Sequence, residues 1–181
     1  MKEAIEETME KAFEEIGFDE YREITTDEVI IEEDVFKQCE KNTCGSFGKN
    51  HACPPQAGTE AERKARVNQY KKGYLLNKFG SINSRKEMEE SMKDVEKAVR
   101  ALRKRFRQED VLVLGVGPCT LCKECTALEG DPCRHPELIE YSMEACGIDV
   151  VRMSMNKKMK YNVGGGKVGY FSLVLYDRAE N

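Results

Sequence analysis

The chain has 181 residues, of which 34% are charged and 40% hydrophobic, and its formal net charge is -4. This composition suits one folded globular domain and excludes an intrinsically disordered chain. No run approaches the roughly 20 apolar residues that span a bilayer, and the acidic start does not have the basic and apolar regions of a signal peptide, so we expect a single cytoplasmic domain over residues 1–181 without a membrane span.

The first forty residues predict a helix and then a short strand. Apolar side chains recur every three or four positions from Ile5 to Ile16, and Gly17 follows them as a C-cap, so an acidic amphipathic helix is expected at about 1–17. The β-branched run Val29–Ile31 favours a strand within Asp27–Glu33.

A first cysteine-rich segment, at about 39–58, is predicted to be a loop. Its composition turns to Cys, Gly, Asn and Pro, and Pro54-Pro55 excludes a regular helix or a central strand. The gaps of four and eight residues between its cysteines match no single cluster signature, so a zinc site or merely buried thiols stay open beside a cluster. The three cysteines are Cys39, Cys44 and Cys53.

The middle of the chain predicts a strand, a long helix and a second strand. Gly73–Phe79 has the composition of a strand, and Ser84 can cap a helix whose apolar stripe runs from Met88 to Phe106. The continuous apolar run Val111–Val116 is typical of a buried strand. It ends at Gly117-Pro118, where a second cysteine loop begins, so we expect that loop to leave the end of a core strand.

The last third predicts two helical stretches and a hairpin. Pro136 can lie in the first turn of a helix that runs through about Ala145, and a further helix is expected over about Val150–Met159. Tyr161–Val163 and Val168–Tyr176 then form a hairpin around a glycine-rich turn. The fold class is therefore α+β, or mixed α/β: a small sheet with flanking helices and two cysteine-rich metal-binding loops.

The second loop, at about 117–136, carries the most specific motif, in which three cysteines follow one another with gaps of two residues. This spacing lets a short loop place three thiolates around a [4Fe–4S] cubane, and bacterial ferredoxins begin in the same way. The third gap is seven residues instead of the three of ferredoxins, so Cys133, three positions before Pro136, is the nearest candidate for the fourth ligand. The first three candidates are Cys119, Cys122 and Cys125.

Eight cysteines in a reducing compartment favour metal ligands over disulfides, but they leave two cluster arrangements open. If Cys146 is a ligand, two [4Fe–4S] clusters could each have four thiolates. If Cys146 is a buried helical residue, the first loop has three thiolates, and one iron would be free to bind a substrate. Zinc is the alternative metal, for which His51 or His135 could supply a ligand.

The order of three motifs resembles a family of uncharacterised predicted metal-binding proteins of anaerobic bacteria and archaea. These motifs are Cys39-x4-Cys44 with Gly48-Lys49 and Cys53-Pro54-Pro55, then the Cys119 to Pro136 loop, then the segment Ser142–Val150. The similarity covers roughly Cys39 to Tyr176 and does not include the acidic helix. It implies metal binding at Cys39, Cys44, Cys53, Cys119, Cys122, Cys125 and Cys133, whereas the position of Cys146 is not regularly cysteine in the family.

These observations favour an iron-sulfur protein that transfers electrons, or assists redox chemistry, in anaerobic metabolism, with a redox protein as its partner. One alternative is an enzyme that uses an open iron in the first loop. Another is a non-enzymatic zinc module that binds partners through the acidic helix or through the basic stripe Lys97–Arg107. No aromatic-interleaved basic motif accompanies that stripe, and it does not predict nucleic-acid binding. No catalytic residue, substrate or oligomeric state is predicted.

Overall fold

A five-stranded antiparallel sheet lies at the centre of the computed structural model, which describes residues 2–178. In chain order the strands are β1 Glu20–Thr25, β2 Tyr70–Ser81, β3 Leu112–Leu114, β4 Asn162–Gly164 and β5 Lys167–Arg178. The strand order is β1-β2-β5-β3, and β4 pairs with β5 beyond this path. Strand β5 therefore holds three partners, β2, β3 and β4.

Helices flank this sheet, so the predicted α+β class is confirmed. The α-helices in the described residues are α1 Lys2–Ile16, α2 Glu33–Gln38, α3 Glu60–Asn68, α4 Arg85–Arg105 and α5 Val150–Asn156. Helix α4 begins as predicted, because the Ser84 hydroxyl accepts a hydrogen bond of 3.1 Å from the Glu87 amide. Across the part of the chain described, no helix has both the length and the apolar character needed to cross a bilayer.

The sheet buries both of its faces, because successive side chains along a strand point to opposite sides. Tyr74 and Leu76 of β2 pack with α1 and α4 in one apolar cluster. Leu75, between them, belongs to a second cluster that includes Val67 of α3 and Met153 of α5. The protein thus has one apolar core on each side of a single sheet.

The second cysteine loop is fixed where it leaves and returns to the sheet. The Gly115 amide donates to the Tyr141 carbonyl, the Met143 amide donates to the Gly115 carbonyl, and both distances are 3.0 Å. Arg103 of α4 adds hydrogen bonds from Nη2 to the carbonyls of Val113 and Tyr141, at 3.1 and 3.2 Å. The loop that carries four cysteines therefore leaves and rejoins the sheet at one hydrogen-bonded site. This agrees with the prediction that the loop follows a core strand.

The segment that precedes the first cysteine loop is fixed to the same part of the chain. The Glu32 amide donates to the Gly147 carbonyl and the Asp149 amide donates to the Ile30 carbonyl, both at 2.8 Å. Residues 141–149 thus hold the bases of both loops.

The strand predicted within Asp27–Glu33 is wrong. Thr26–Glu28 forms a 3-10 turn, and Ile31 makes only an isolated bridge to Ile148 before α2 begins at Glu33. The strand that pairs with β2 is β1, which lies before the run Val29–Ile31 on which the prediction is based. The Glu28 carboxylate also accepts a hydrogen bond of 2.8 Å from the Thr25 amide, which closes the turn.

The helix predicted from Pro136 to Ala145 is also wrong. The structure has two 3-10 turns there, Pro136–Leu138 and Glu144–Cys146. Between these turns the chain is extended and pairs with Gly115. The Tyr141 carbonyl and the Met143 amide bond to Gly115, so they cannot form the hydrogen bonds of a helix. The other predicted helices, the two middle strands and the C-terminal hairpin are confirmed.

Candidate metal centre

The first cysteine loop presents its three thiols at different depths. Cys39 follows α2 directly and is half-buried, Cys44 is exposed, and Cys53 is buried. The backbone of Cys53 is hydrogen-bonded on both sides, because the Cys53 amide donates to the Asn50 carbonyl at 3.0 Å and the Ala57 amide donates to the Cys53 carbonyl at 2.8 Å. The loop is therefore ordered around Cys53.

The second loop keeps its four cysteines half-buried and folds back on itself. The Thr126 hydroxyl donates to the Pro132 carbonyl at 2.8 Å, and Arg134 Nη1 donates to the Glu124 carbonyl at 3.0 Å. The His135 amide lies 3.4 Å from Cys133 Sγ and donates to it. An amide donor of this kind stabilises a thiolate and tunes a metal bound to it. The four cysteines of this loop are Cys119, Cys122, Cys125 and Cys133.

Two side chains of the first loop hold the second loop. Asn50 Nδ2 donates to the Cys119 carbonyl at 2.8 Å. His51 Nε2 lies 3.0 Å from the Asp131 carbonyl and 3.2 Å from Thr126 Oγ1. A carbonyl can only accept, so Nε2 of His51 carries the proton and donates it. Because this nitrogen is protonated, it is not a metal ligand in this arrangement.

Thiols of both loops contribute to the raised pKa of Cys53. Burial raises the pKa of Cys53 to about 12, and other thiols add to the shift. Those thiols are Cys44, Cys39, Cys119 and Cys125. A group of thiols that oppose one another's ionisation is a suitable donor set for a metal, whose positive charge reverses that effect.

The side chains do not form a closed coordination shell. Within residues 2–178, no three His, Cys, Asp or Glu side chains converge closely enough to hold a metal ion. The hydrogen bond from Asn50 to the Cys119 carbonyl joins the two loops at that cysteine, but in the described part of the chain no common centre is formed by Cys39, Cys44, Cys53, Cys119, Cys122, Cys125 and Cys133. The assignment of the seven cysteines as ligands therefore stays a prediction.

Cys146 has a different environment from the other cysteines. It is fully buried in the apolar cluster of α3 and α5, and Arg66 Nη1 lies 3.6 Å from its sulfur. Burial raises the pKa of the Cys146 thiol, and Arg66 opposes that shift. The sequence left Cys146 as either a cluster ligand or a buried residue, and this setting favours the buried residue.

A buried arginine lies beside the first loop. Arg63 of α3 is 1% exposed, forms an ion pair with Glu33 at 2.6 Å, and stacks on Phe36 with 3.2 Å from Cζ to the ring centre. Its Nε and Nη1 have no hydrogen-bond partner among the described residues. Its charge lowers the pKa of Cys39, which burial raises.

The unpaired N–H groups of Arg63 suit a metal bound by thiolates in the first loop. Thiolates, and the sulfides of an iron-sulfur cluster, are hydrogen-bond acceptors that unpaired N–H groups of a nearby arginine could satisfy. The sequence does not reveal this feature, because a basic residue in a charged helix is expected to be exposed.

Two residues of the basic stripe support the second loop. Arg100 contacts the Thr120 hydroxyl and pairs with Glu140 at 3.4 Å, and Arg103 pairs with the same carboxylate at 3.5 Å. The hydrogen bond with Glu140 raises the pKa of Arg100, whereas burial lowers that of Arg103. Only the basic character of this segment was evident in the sequence, not its role in supporting the loop.

The structure is an α+β domain that joins two cysteine loops beside a buried arginine, and such a set of thiols suits a metal. The model of the predicted metal-binding protein family DUF2284 matches residues 22–176. The chain therefore belongs to DUF2284, and the match begins after α1. The expected resemblance to a metal-binding family is confirmed. No curated protein and no solved structure matches the chain.

Proposed function

We propose that this protein binds a [4Fe–4S] cluster in its second loop and passes electrons to or from a redox protein in the cytoplasm of an anaerobe. The observation that carries the proposal is the pair of two-residue gaps between Cys119, Cys122 and Cys125, a spacing that ferredoxins use for the same cluster. The hydrogen bonds at the base of this loop support the proposal, because a fixed loop holds ligands in place.

The first loop would hold a second cluster with three thiolates, from Cys39, Cys44 and Cys53. A bound cluster of this kind supplies one-electron chemistry or, at an iron without a protein ligand, a Lewis acid. The protein contributes burial around Cys53 and the unpaired N–H groups of Arg63. The electrostatic interaction of Cys53 with Cys119 supports a short separation between the two sites.

The test is to purify the protein without oxygen and to measure iron, acid-labile sulfide and zinc per chain. We expect iron and sulfide in equal amounts, with Cys122→Ser and Cys39→Ser each losing part of both. Cys146→Ser is the matched control, because Cys146 is buried in the apolar cluster of α3 and α5, and it should keep the full content.

Zinc is the competing metal, since a set of thiolates suits zinc as well as iron. Stoichiometric zinc without sulfide in the same preparation would refute the cluster and favour a structural zinc module. An equal loss of metal in Cys146→Ser and Cys122→Ser would refute the assignment of ligands.

A further inference from the structure

A cavity of about 470 Å³ lies between the bases of the two cysteine loops and one end of the sheet. Gln38, which precedes the first cysteine, and Gly117, two residues before the next loop's first cysteine, both line it. Tyr170 and Phe171 of β5 also line it. This volume is in the range of protein sites for small organic molecules.

The charged groups of the cavity wall are all acidic. Glu144 and Asp149 line it, and the described lining residues include no Lys, Arg or His. The Asp149 carboxylate is already engaged, since its Oδ1 accepts a hydrogen bond of 3.0 Å from the Arg152 amide as a helix N-cap. Asp149 also lies 4.0 Å from the Arg152 guanidinium, whereas no cation of the described residues acts on Glu144, so Glu144 is the carboxyl group that can pair with a cationic ligand.

Glu144 combines access to water with an enclosed position. Its side chain is exposed, while the surrounding protein raises its pKa by desolvation. The hydrogen bonds that oppose this shift come from Ser142 and from the backbone of Glu144, so no cation contributes to it. A position at the wall of a cavity explains both the exposure and the raised pKa of Glu144, since bulk water reaches only one side of the carboxyl group.

The remaining wall is apolar and aromatic. Val116, Val151 and Val168 supply aliphatic surface, and the rings of Tyr161 and Phe171 lie parallel with centres 6.1 Å apart. Aromatic faces attract cations as well as apolar groups. Acidic groups, aromatic rings and the lack of bases in the described lining all select against anions and in favour of an amine.

We propose that this cavity is a binding site for a small primary amine with an apolar body, in which the amine pairs with Glu144 and the body contacts the accessible side chains of Val151 and Tyr161. The proposal goes beyond electron transfer, since no metal is needed to form the cavity. Because Gln38 adjoins Cys39, a bound amine would lie beside the first cysteine loop.

The experiment is isothermal titration calorimetry of the anaerobically purified protein with phenethylamine, and with 3-phenylpropionate as the anion of similar shape. We expect binding of the amine only. Glu144→Gln should weaken it by about 10- to 100-fold, which is the effect of losing a hydrogen bond to a charged group. Glu129→Gln, a change at an exposed acid of the second loop, should leave affinity unchanged.

A second variant keeps the test decisive if Glu144→Gln folds poorly. Val168→Phe places a larger side chain in the cavity from β5, and it should also reduce binding of phenethylamine by tenfold or more. Equal affinity for both probes, or unchanged amine binding in both variants, would overturn the proposal. Failure of this site would leave the iron and sulfide content unchanged, so it is distinguishable from failure of the proposed function.

Discussion

His51→Ala should loosen the contact between the two cysteine loops. The imidazole donates from Nε2 to the Asp131 carbonyl at 3.0 Å and to Thr126 Oγ1 at 3.2 Å, and the two acceptors share one hydrogen. A hydrogen bond of this type contributes about 1 kcal/mol, and leaving the buried Thr126 oxygen short of a donor adds to the loss, so we expect about 1 to 2 kcal/mol in total.

Hydrogen exchange read by mass spectrometry measures this loss directly. Residues 126–131 form the turn that His51 holds, and its amides are protected by bonds such as Asp131 to the Thr126 carbonyl at 3.1 Å. A loss of about 1 to 2 kcal/mol corresponds to about 5- to 30-fold faster exchange if the segment opens locally.

His135→Ala is the matched control, because His135 is an exposed histidine in the second loop itself. Exchange in residues 126–131 should stay within twofold of the unmodified protein in that variant. If His51→Ala and His135→Ala give the same exchange in this segment, the inference that His51 holds the loops together is wrong.

Three further predictions concern stability. Asn50→Ala removes the 2.8 Å hydrogen bond to the second loop and should lower the free energy of unfolding in urea by about 1 to 3 kcal/mol; a loss no greater than in Gln56→Ala, at an exposed loop position, would contradict it. Gly73→Ala would place a Cβ 2.3 Å from the Val174 carbonyl, so Tm should fall by about 2–12 °C in calorimetry, and an unchanged Tm would show that the strands can separate at no cost. The Lys72 ammonium holds the pKa of Glu6 below its ordinary 4.5, so this carboxylate stabilises the fold above about pH 4.5 and that stabilisation is lost on acidification. Glu6→Gln should therefore be less stable at pH 7 and converge with the parent at low pH in denaturation titrations; a constant difference would refute this linkage.

Strong periodic patterns predicted the helices, while polar elements were missed. Helix α4 has its apolar stripe and its Ser84 cap in the sequence, and both are present in the structure. Strand β1, with the sequence EYREIT, was missed because it pairs on one side only and exposes much of its surface. Helix α3 was missed because it is short and highly charged, yet it contributes the buried Arg63 and Val67.

Cysteine spacing predicted the two loops, but the way they meet is not visible in spacing. Asn50 and Cys119 are bonded across 69 positions in the chain, and His51 and Asp131 across 80. Such contacts depend on where the sheet brings distant segments, which local patterns do not report. The cavity has the same origin, because Gln38, Glu144 and Tyr170 come from segments far apart in the sequence.

The position of β5 at the centre of the sheet has a consequence for how the protein is made. All eight cysteines precede Lys167, whereas β2, β3 and β4 acquire their shared partner only when β5 has left the ribosome. At ordinary rates of translation, the first thiols therefore wait on the order of ten seconds without the sheet that will shelter them. During that interval the nascent chain depends on reducing surroundings to keep its thiols intact, and a cofactor delivered after release would meet a finished scaffold.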